Sequence, residues 1–391
     1  MNRILVLNGV SNAGLQLFAD PQNVNKSVID PEAVILRSAK LDTDDYPSLL
    51  AVARAGAGVN NVTVEKATEK GVCVFNTPGA NANAVAELVF IMLGLYARRV
   101  DQALSFTQTL DGDDVAITQK VEAEKAKFSG FELAGKTIGV IGLGKIGVLV
   151  ANAGIRRGMK VVGYDAFPTL TNMHQLSAGV EIARRMEEVV AGADILSVHV
   201  PLSARTKHLI GANQIALMKT NCILLNYARD GIFDDESVIE ALSLEKVASY
   251  ITDFPTNALL ANQKVICTPH LGASTAESEE NCAVMACRQL KNYLEYGVVN
   301  NSVNFPVVEM FPSNTTHTRL VIVNKDVPNM IAVITGALGE AGVNIQAFAN
   351  ESNGKIGYNL VDLDVSVCDE VVERIRQLPN VLRVRVLTFR K

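Results

Sequence analysis

Gly142, Gly144 and Gly147 stand in the string Gly142-Leu143-Gly144-Lys145-Ile146-Gly147, the spacing G-x-G-x-x-G. At this glycine content the spacing arises by chance about 0.14 times per chain, so its context decides its meaning. A strand-like run, 137–141, precedes it and a helical run, 146–157, follows. Glycines at such a turn let the backbone approach a pyrophosphate, which then sits at the positive end of the helix. Asp165 closes the next strand-like run. Its carboxylate can accept from a ribose 2′-hydroxyl and would repel a 2′-phosphate, and no Arg or Lys follows before Pro168. The expected cofactor is NAD rather than NADP. The competing reading is a tight strand–helix turn with a surface aspartate.

Hydride transfer needs a proton acceptor and a cation to hold an acidic substrate. Of five histidines, His270 follows a strand-like run in Thr268-Pro269-His270-Leu271-Gly272-Ala273, at the strand edge where ligands bind in open parallel sheets. Arg229, in Asn226-Tyr227-Ala228-Arg229-Asp230-Gly231, follows another, and a guanidinium there can hold a carboxylate in two-point contact. The plain alternative for His270 is a histidine bonded within the core.

These residues need a frame, and the chain is long enough to build one. Its 391 residues suit two to three domains. Hydrophobic residues make up 48% and charged residues 20%, which excludes a largely disordered chain. A net charge of −5 with no basic block argues against nucleic acid or a membrane surface as partner. Six scattered cysteines without a Cys-x-x-Cys pair read as buried thiols of a cytoplasmic protein, and no metal site is expected. Strand-like runs at 33–36, 72–75, 137–141, 160–164, 195–198, 223–225 and 265–266 alternate with helical stretches, including 82–99 and 276–295. That alternation implies parallel, doubly wound α/β sheets. The polar segment 101–130 reads as a surface connection and 300–316 as a linker. Beyond it the pattern is strand 319–323, helix 329–341, strand 343–348, strand 357–365, helix 368–377, strand 381–387. This βαββαβ order is ferredoxin-like and marks a separate small domain.

Residues 1 to about 310 resemble the D-isomer-specific 2-hydroxyacid dehydrogenases. The likeness rests on Arg54-Ala55-Gly56-Ala57-Gly58-Val59-Asn60-Asn61, Asn76-Thr77-Pro78-Gly79-Ala80-Asn81, the glycine string, His199-Val200-Pro201-Leu202, the Arg229 segment and Pro269-His270-Leu271-Gly272-Ala273-Ser274-Thr275. The resemblance implies two Rossmann-like domains: a split substrate domain, 1–95 with 270–310, and an inserted NAD domain, 96–269, with chemistry in the cleft between them. It assigns the substrate carboxylate and carbonyl to Arg229 and the hydroxyl proton to His270. It assigns substrate anions to Arg54, Ala55, Gly56, Ala57, Gly58 and Asn81, with Arg37 and Lys40 either phosphate contacts or a solvated face. Cofactor contacts carried over are Thr77, Gly142, Gly144, Lys145, Ile146, Gly147, Asp165, Val200, Tyr227, Ala228, Arg229, Asp253, His270, Gly272 and Ala273. The implied reaction is oxidation of 3-phospho-D-glycerate to 3-phosphohydroxypyruvate, a first step towards L-serine, in a homodimer or homotetramer. The alternatives are another D-2-hydroxy acid as substrate, or a non-catalytic NAD-sensing module.

Residues 318–391 resemble the ACT domains, which bind amino acids at a paired interface. By that likeness Asp326 and Asn344 are a regulatory site for L-serine, with Asp326 also suited to cap the following helix. Two departures stand out. The family places a Glu, partner of its catalytic histidine, after the strand ending at Asp253. Here Asp253-Phe254-Pro255-Thr256-Asn257-Ala258 carries none, so the partner is missing, replaced by an amide, or supplied from elsewhere. And the ACT loop's usual glycine is Asn329.

Overall fold

Short runs of Val, Ile, Leu and Ala become strands buried on both faces, the signature of parallel sheets covered by helices. The computed structural model describes residues 3–18 and 23–389. Its contacts divide the chain into two units, 1–81 with 276–391 and 82–275.

In the first unit β1 (Ile4–Leu7), β2 (Val24–Asn25), β3 (Ala33–Leu36), β4 (Ala51–Arg54) and β5 (Cys73–Phe75) form a parallel sheet in the order β2-β1-β3-β4-β5. The helix Ala276–Tyr296 lays Cys282, Ala286, Leu290 and Tyr293 on one face of it.

In the second unit β6 (Thr137–Ile141), β7 (Lys160–Tyr164), β8 (Val180–Ile182), β9 (Ile195–Val198), β10 (Cys222–Asn226), β11 (Val247–Thr252) and β12 (Val265–Cys267) are all parallel. Their order is β12-β11-β10-β9-β6-β7-β8, so chain direction across the sheet reverses between β6 and β9. The crevice at such a reversal is where ligands sit. The helix Ala82–Ala97, apolar over most of its surface, packs with the helix Lys145–Arg156 in this unit's core.

The C-terminal strands β13 (Thr318–Lys325), β14 (Ala347–Ser352), β15 (Ile356–Leu363) and β16 (Val381–Thr388) form an antiparallel sheet in the order β14-β15-β13-β16, the ferredoxin-like arrangement. One face packs Leu320, Ile322, Val361 and Leu363 against the helices Met330–Glu340 and Asp369–Arg376. The other face puts Val321, Val323, Tyr358 and Leu360 into the same core as β3, β4 and the Ala276–Tyr296 helix. A buried bidentate pair reinforces this seam. Arg319 bonds the Asp362 carboxylate at 2.5 and 2.7 Å and donates to the carbonyls of Tyr296 and Met310.

The structure corrects several sequence expectations. Segment 101–130 is largely helical, Val100–Thr107 and Asp114–Glu124, with the Asp113 carboxylate capping the second helix at Ala116 N. The segment 300–316 is not a loose linker: Asn304 is buried and bonds Val74 N, Val72 O and Thr68 Oγ1. The strand expected from 343 starts at Ala347, leaving Asn344 in a loop. Asp326 does not cap the next helix, which begins at Met330 behind Asn329. Cys368 is exposed and Cys267 half-buried, while the other four thiols are buried; all six are free. Among the described residues no helix is long and apolar enough to cross a membrane.

Candidate active site

The glycine string forms the turn from β6 into the Lys145–Arg156 helix. Gly142 has φ +91, and a Cβ there would lie 2.6 Å from the His199 carbonyl oxygen. A Cβ at Gly147 would collide with the carbonyl oxygen of Gly142. Gly144, at the helix N-terminus, faces open space. Two glycines are therefore demanded by the fold. The third leaves a cradle beside first-turn amides, which suits a pyrophosphate. Asp165 accepts from Leu143 N at 2.7 Å and from Phe167 N at 2.8 Å. That places its carboxylate against the glycine turn with lone pairs left for a ribose hydroxyl. The residues present thus fit a dinucleotide.

Val200, Tyr227 to Arg229 and the 270–273 loop all follow strands of this sheet at their C-terminal ends. Arg229 is exposed, and among the described residues its guanidinium bonds the Ala228 carbonyl alone, at 2.6 Å. The turn presenting it is built on Asn226, whose amide donates to Arg229 O and Tyr250 OH and accepts from Ala228 N. His270 is exposed at φ +55, with the edge of Phe254 against its ring at 5.1 Å. Buried Asp253 holds this loop: it accepts from Thr268 Oγ1 at 2.6 Å and from the amides of Leu271 and Gly272 at 2.7 Å. A Gly272 Cβ would stand 3.1 Å from that carboxylate, so the loop hugs it.

Among the described residues no carboxylate pairs with the His270 ring. The stretch where the family's Glu was expected is the short helix Asn257–Leu260, capped by Thr256, whose hydroxyl donates to Asp235. Asn226 was missed as a site residue, although its place at the end of a buried strand was visible. His199 was also passed over. Its Nε2 bonds Ser197 Oγ at 2.8 Å, and burial pushes its pKa down to about 4, so the ring is neutral.

In the first unit, Gly56 has φ +152, and a Cβ there would fall onto the Arg54 guanidinium. Arg54 Nε donates to Arg37 O at 3.0 Å. The Asn76 amide donates to Ala57 O and Thr77 N to Gly56 O, tying the two loops together. Among the described residues the amides of Ala57 and Gly58 have no acceptor. Thr77 is buried and its hydroxyl has no hydrogen-bond partner among the described residues, and Asn81 is half-buried. Arg37 is engaged by Glu279 at 2.7 Å, whereas Lys40 is exposed. In the C-terminal region a cavity of about 370 Å³ is lined by Asp326, Asn329 and Asn350 among others, but not by Asn344, which is exposed. The Asp326 carboxylate accepts from Ser352 Oγ. Among the described residues no group of three His, Cys, Asp or Glu side chains could hold a metal.

A seven-stranded parallel sheet with this glycine turn, an acidic strand end, and Arg and His on loops at the same sheet edge has the make-up of a dinucleotide-binding domain. Residues 100–272 match the profile of the D-isomer specific 2-hydroxyacid dehydrogenase NAD binding domain. D-3-phosphoglycerate dehydrogenase of Haemophilus influenzae is 30% identical over 383 residues, 94% of this chain and 89% of that protein. The Methanocaldococcus jannaschii protein of the same name is 36% identical over 313 residues, 78% of this chain; the chain spans 57% of that relative's length. NAD-bound 3-phosphoglycerate dehydrogenase of Entamoeba histolytica superposes with a TM-score of 0.60 at 28% identity, covering 78% of this chain and 98% of that one. The chain belongs to the D-isomer-specific 2-hydroxyacid dehydrogenase family, and its 100–272 segment is the family's NAD-binding domain.

Proposed function

We propose that this chain oxidises 3-phospho-D-glycerate to 3-phosphohydroxypyruvate, the opening reaction of L-serine synthesis, as a cytoplasmic homodimer or homotetramer. The observation that carries the reading is that an exposed Arg229, with no carboxylate partner among the described residues, and an exposed His270 both follow C-terminal strand ends of the parallel sheet whose β6 turn forms the dinucleotide cradle. Arg229 holds the substrate carboxylate in two-point contact and polarises the developing carbonyl. His270 accepts the hydroxyl proton, its ring oriented by Phe254 and its loop by Asp253. NAD, when bound, supplies the hydride acceptor, so the products are the 2-oxo acid, NADH and a proton. Thr77, Lys145, Ile146, Asp165, Val200 and Tyr227 to Arg229 are assigned to the cofactor, and Arg54 with the Ala57 and Gly58 amides to the phosphate. Asp326 and Asn344 are assigned to an L-serine effector.

The salt bridge between Arg37 and Glu279 favours a second reading. It removes one cation from the phosphate loops and leaves an unphosphorylated D-2-hydroxy acid as alternative substrate. NADH formation measured with 3-phosphoglycerate, D-glycerate and D-lactate separates the two. Turnover of 3-phosphoglycerate at least about tenfold more efficient, ~1.4 kcal/mol of discrimination, supports the first reading. NAD binding without turnover of any of them overturns both.

A further inference from the structure

The first unit holds another cavity, of about 480 Å³, between the Ala276–Tyr296 helix and the turn after β5. It uses none of the residues assigned above. The helix supplies Asn281, Arg288, Gln289 and Asn292, the segment after it supplies Asn300, and among the described residues no acid lines the cavity. Gln289 is 3% exposed, yet among the described residues neither its amide nitrogen nor its oxygen has a hydrogen-bond partner. The Asn300 oxygen is buried and unpartnered as well. The large majority of buried side-chain polar atoms are paired, and leaving both ends of a carboxamide without a partner is costly. Arg288 is exposed and engages no carboxylate among the described residues.

We propose that this cavity binds a small carboxylate that also carries a hydroxyl or amino group. The guanidinium fork pairs with the carboxylate, as a planar donor set does best. Gln289 offers one donor and one acceptor, and the Asn300 oxygen demands a hydrogen. A bare anion meets the first need and not the others, so the ligand brings its own donor. The volume lies in the range of small-molecule sites.

L-malate and succinate differ by the one hydroxyl the argument requires, and thermal unfolding of the full chain with saturating NAD reads their binding. L-malate is expected to raise the melting temperature and succinate to do so far less. R288Q and Q289L are each expected to weaken L-malate binding at least about tenfold while NAD affinity stays unchanged. Q289L removes the unpaired amide at nearly constant volume, so it folds at least as well as the parent. R229Q, which disables the catalytic anchor, retains the L-malate shift; this separates the cavity from the substrate site. The proposal is overturned if L-malate gives no shift, if succinate matches it, or if the shift survives in R288Q and Q289L. It is equally overturned if these two variants change the molecular mass by light scattering, because the cavity is then an interface between copies of the chain.

Discussion

Asp165 does two things at once. Its carboxylate closes the glycine turn through Leu143 N and, in the proposed cofactor assignment, sets negative charge against a ribose 2′-phosphate. NAD should therefore outperform NADP by at least about tenfold, ~1.4 kcal/mol. D165S should narrow that ratio while also raising the KM for NAD, because the turn loses a charge-assisted bond. Equal use of both cofactors by the parent protein would contradict this. At His270, substitution by alanine should lower kcat by about 10²–10⁴ with NAD affinity nearly intact, the usual cost of losing a general base; stopped-flow NADH formation and NAD titration measure the two sides. His199 supplies a pH dependence. Its folded pKa of about 4 lies below the ordinary 6.5, so the unfolded chain binds more protons between those values. Its stabilisation is complete above about pH 6.5 and is lost as pH falls towards 4. H199Q, which keeps a nitrogen donor for Ser197, should flatten the melting temperature across that window.

Among elements, the His270 loop shows how little of a site is visible in a string of letters. The histidine and the strand before it were legible, because a short apolar run, half-buried in the structure, ends at Pro269-His270 and marks a strand edge. That Asp253, remote in sequence, holds the loop amides was not, since no local pattern reports which acceptor a loop amide will find. The same limit hid Asn226. The Val100–Thr107 and Asp114–Glu124 helices escape for another reason: they bury no residue, the first is short with only Val100, Ala103 and Leu104 on its apolar side, and the second has no apolar period. Their signal was the Asp113 cap and the Ala, Lys and Glu content. Asn329 illustrates an element boundary that sequence reading half resolves. It stands at φ +76, a conformation glycine adopts freely and asparagine tolerates. The departure from the ACT pattern is thus a conservative one. N329G should leave the melting temperature unchanged or slightly higher, whereas N329V should cost about 1–2 kcal/mol by denaturant titration.

On the scale of the whole molecule, the C-terminal sheet is bound into the first unit by its second face. The signal was present: 320–323 and 360–361 read as unbroken apolar runs, and a half-exposed sheet would alternate. Sequence shows that both faces are covered, but not by what. The seam is completed by Arg319 and Asp362, 0% and 2% exposed, and by Tyr358 OH donating to Gly297 O at 2.6 Å. Arg385 adds two bonds, to the carbonyls of Tyr293 and Leu294, and places its guanidinium over the Tyr293 ring. A buried ion pair is costly to break from one side, because the remaining charge has no water to return to, yet replacing both partners by apolar groups is often tolerated. D362L alone should therefore destabilise the first unit by about 3–5 kcal/mol, and R319M/D362L should recover much of that loss. Calorimetry supplies the check. If the C-terminal sheet and the β1–β5 sheet share one cooperative core, D362L lowers the transition of both together. A variant in which the sheet of β13–β16 melts early, while the β1–β5 transition stays at the parent temperature, would show the shared core to be thermodynamically divisible.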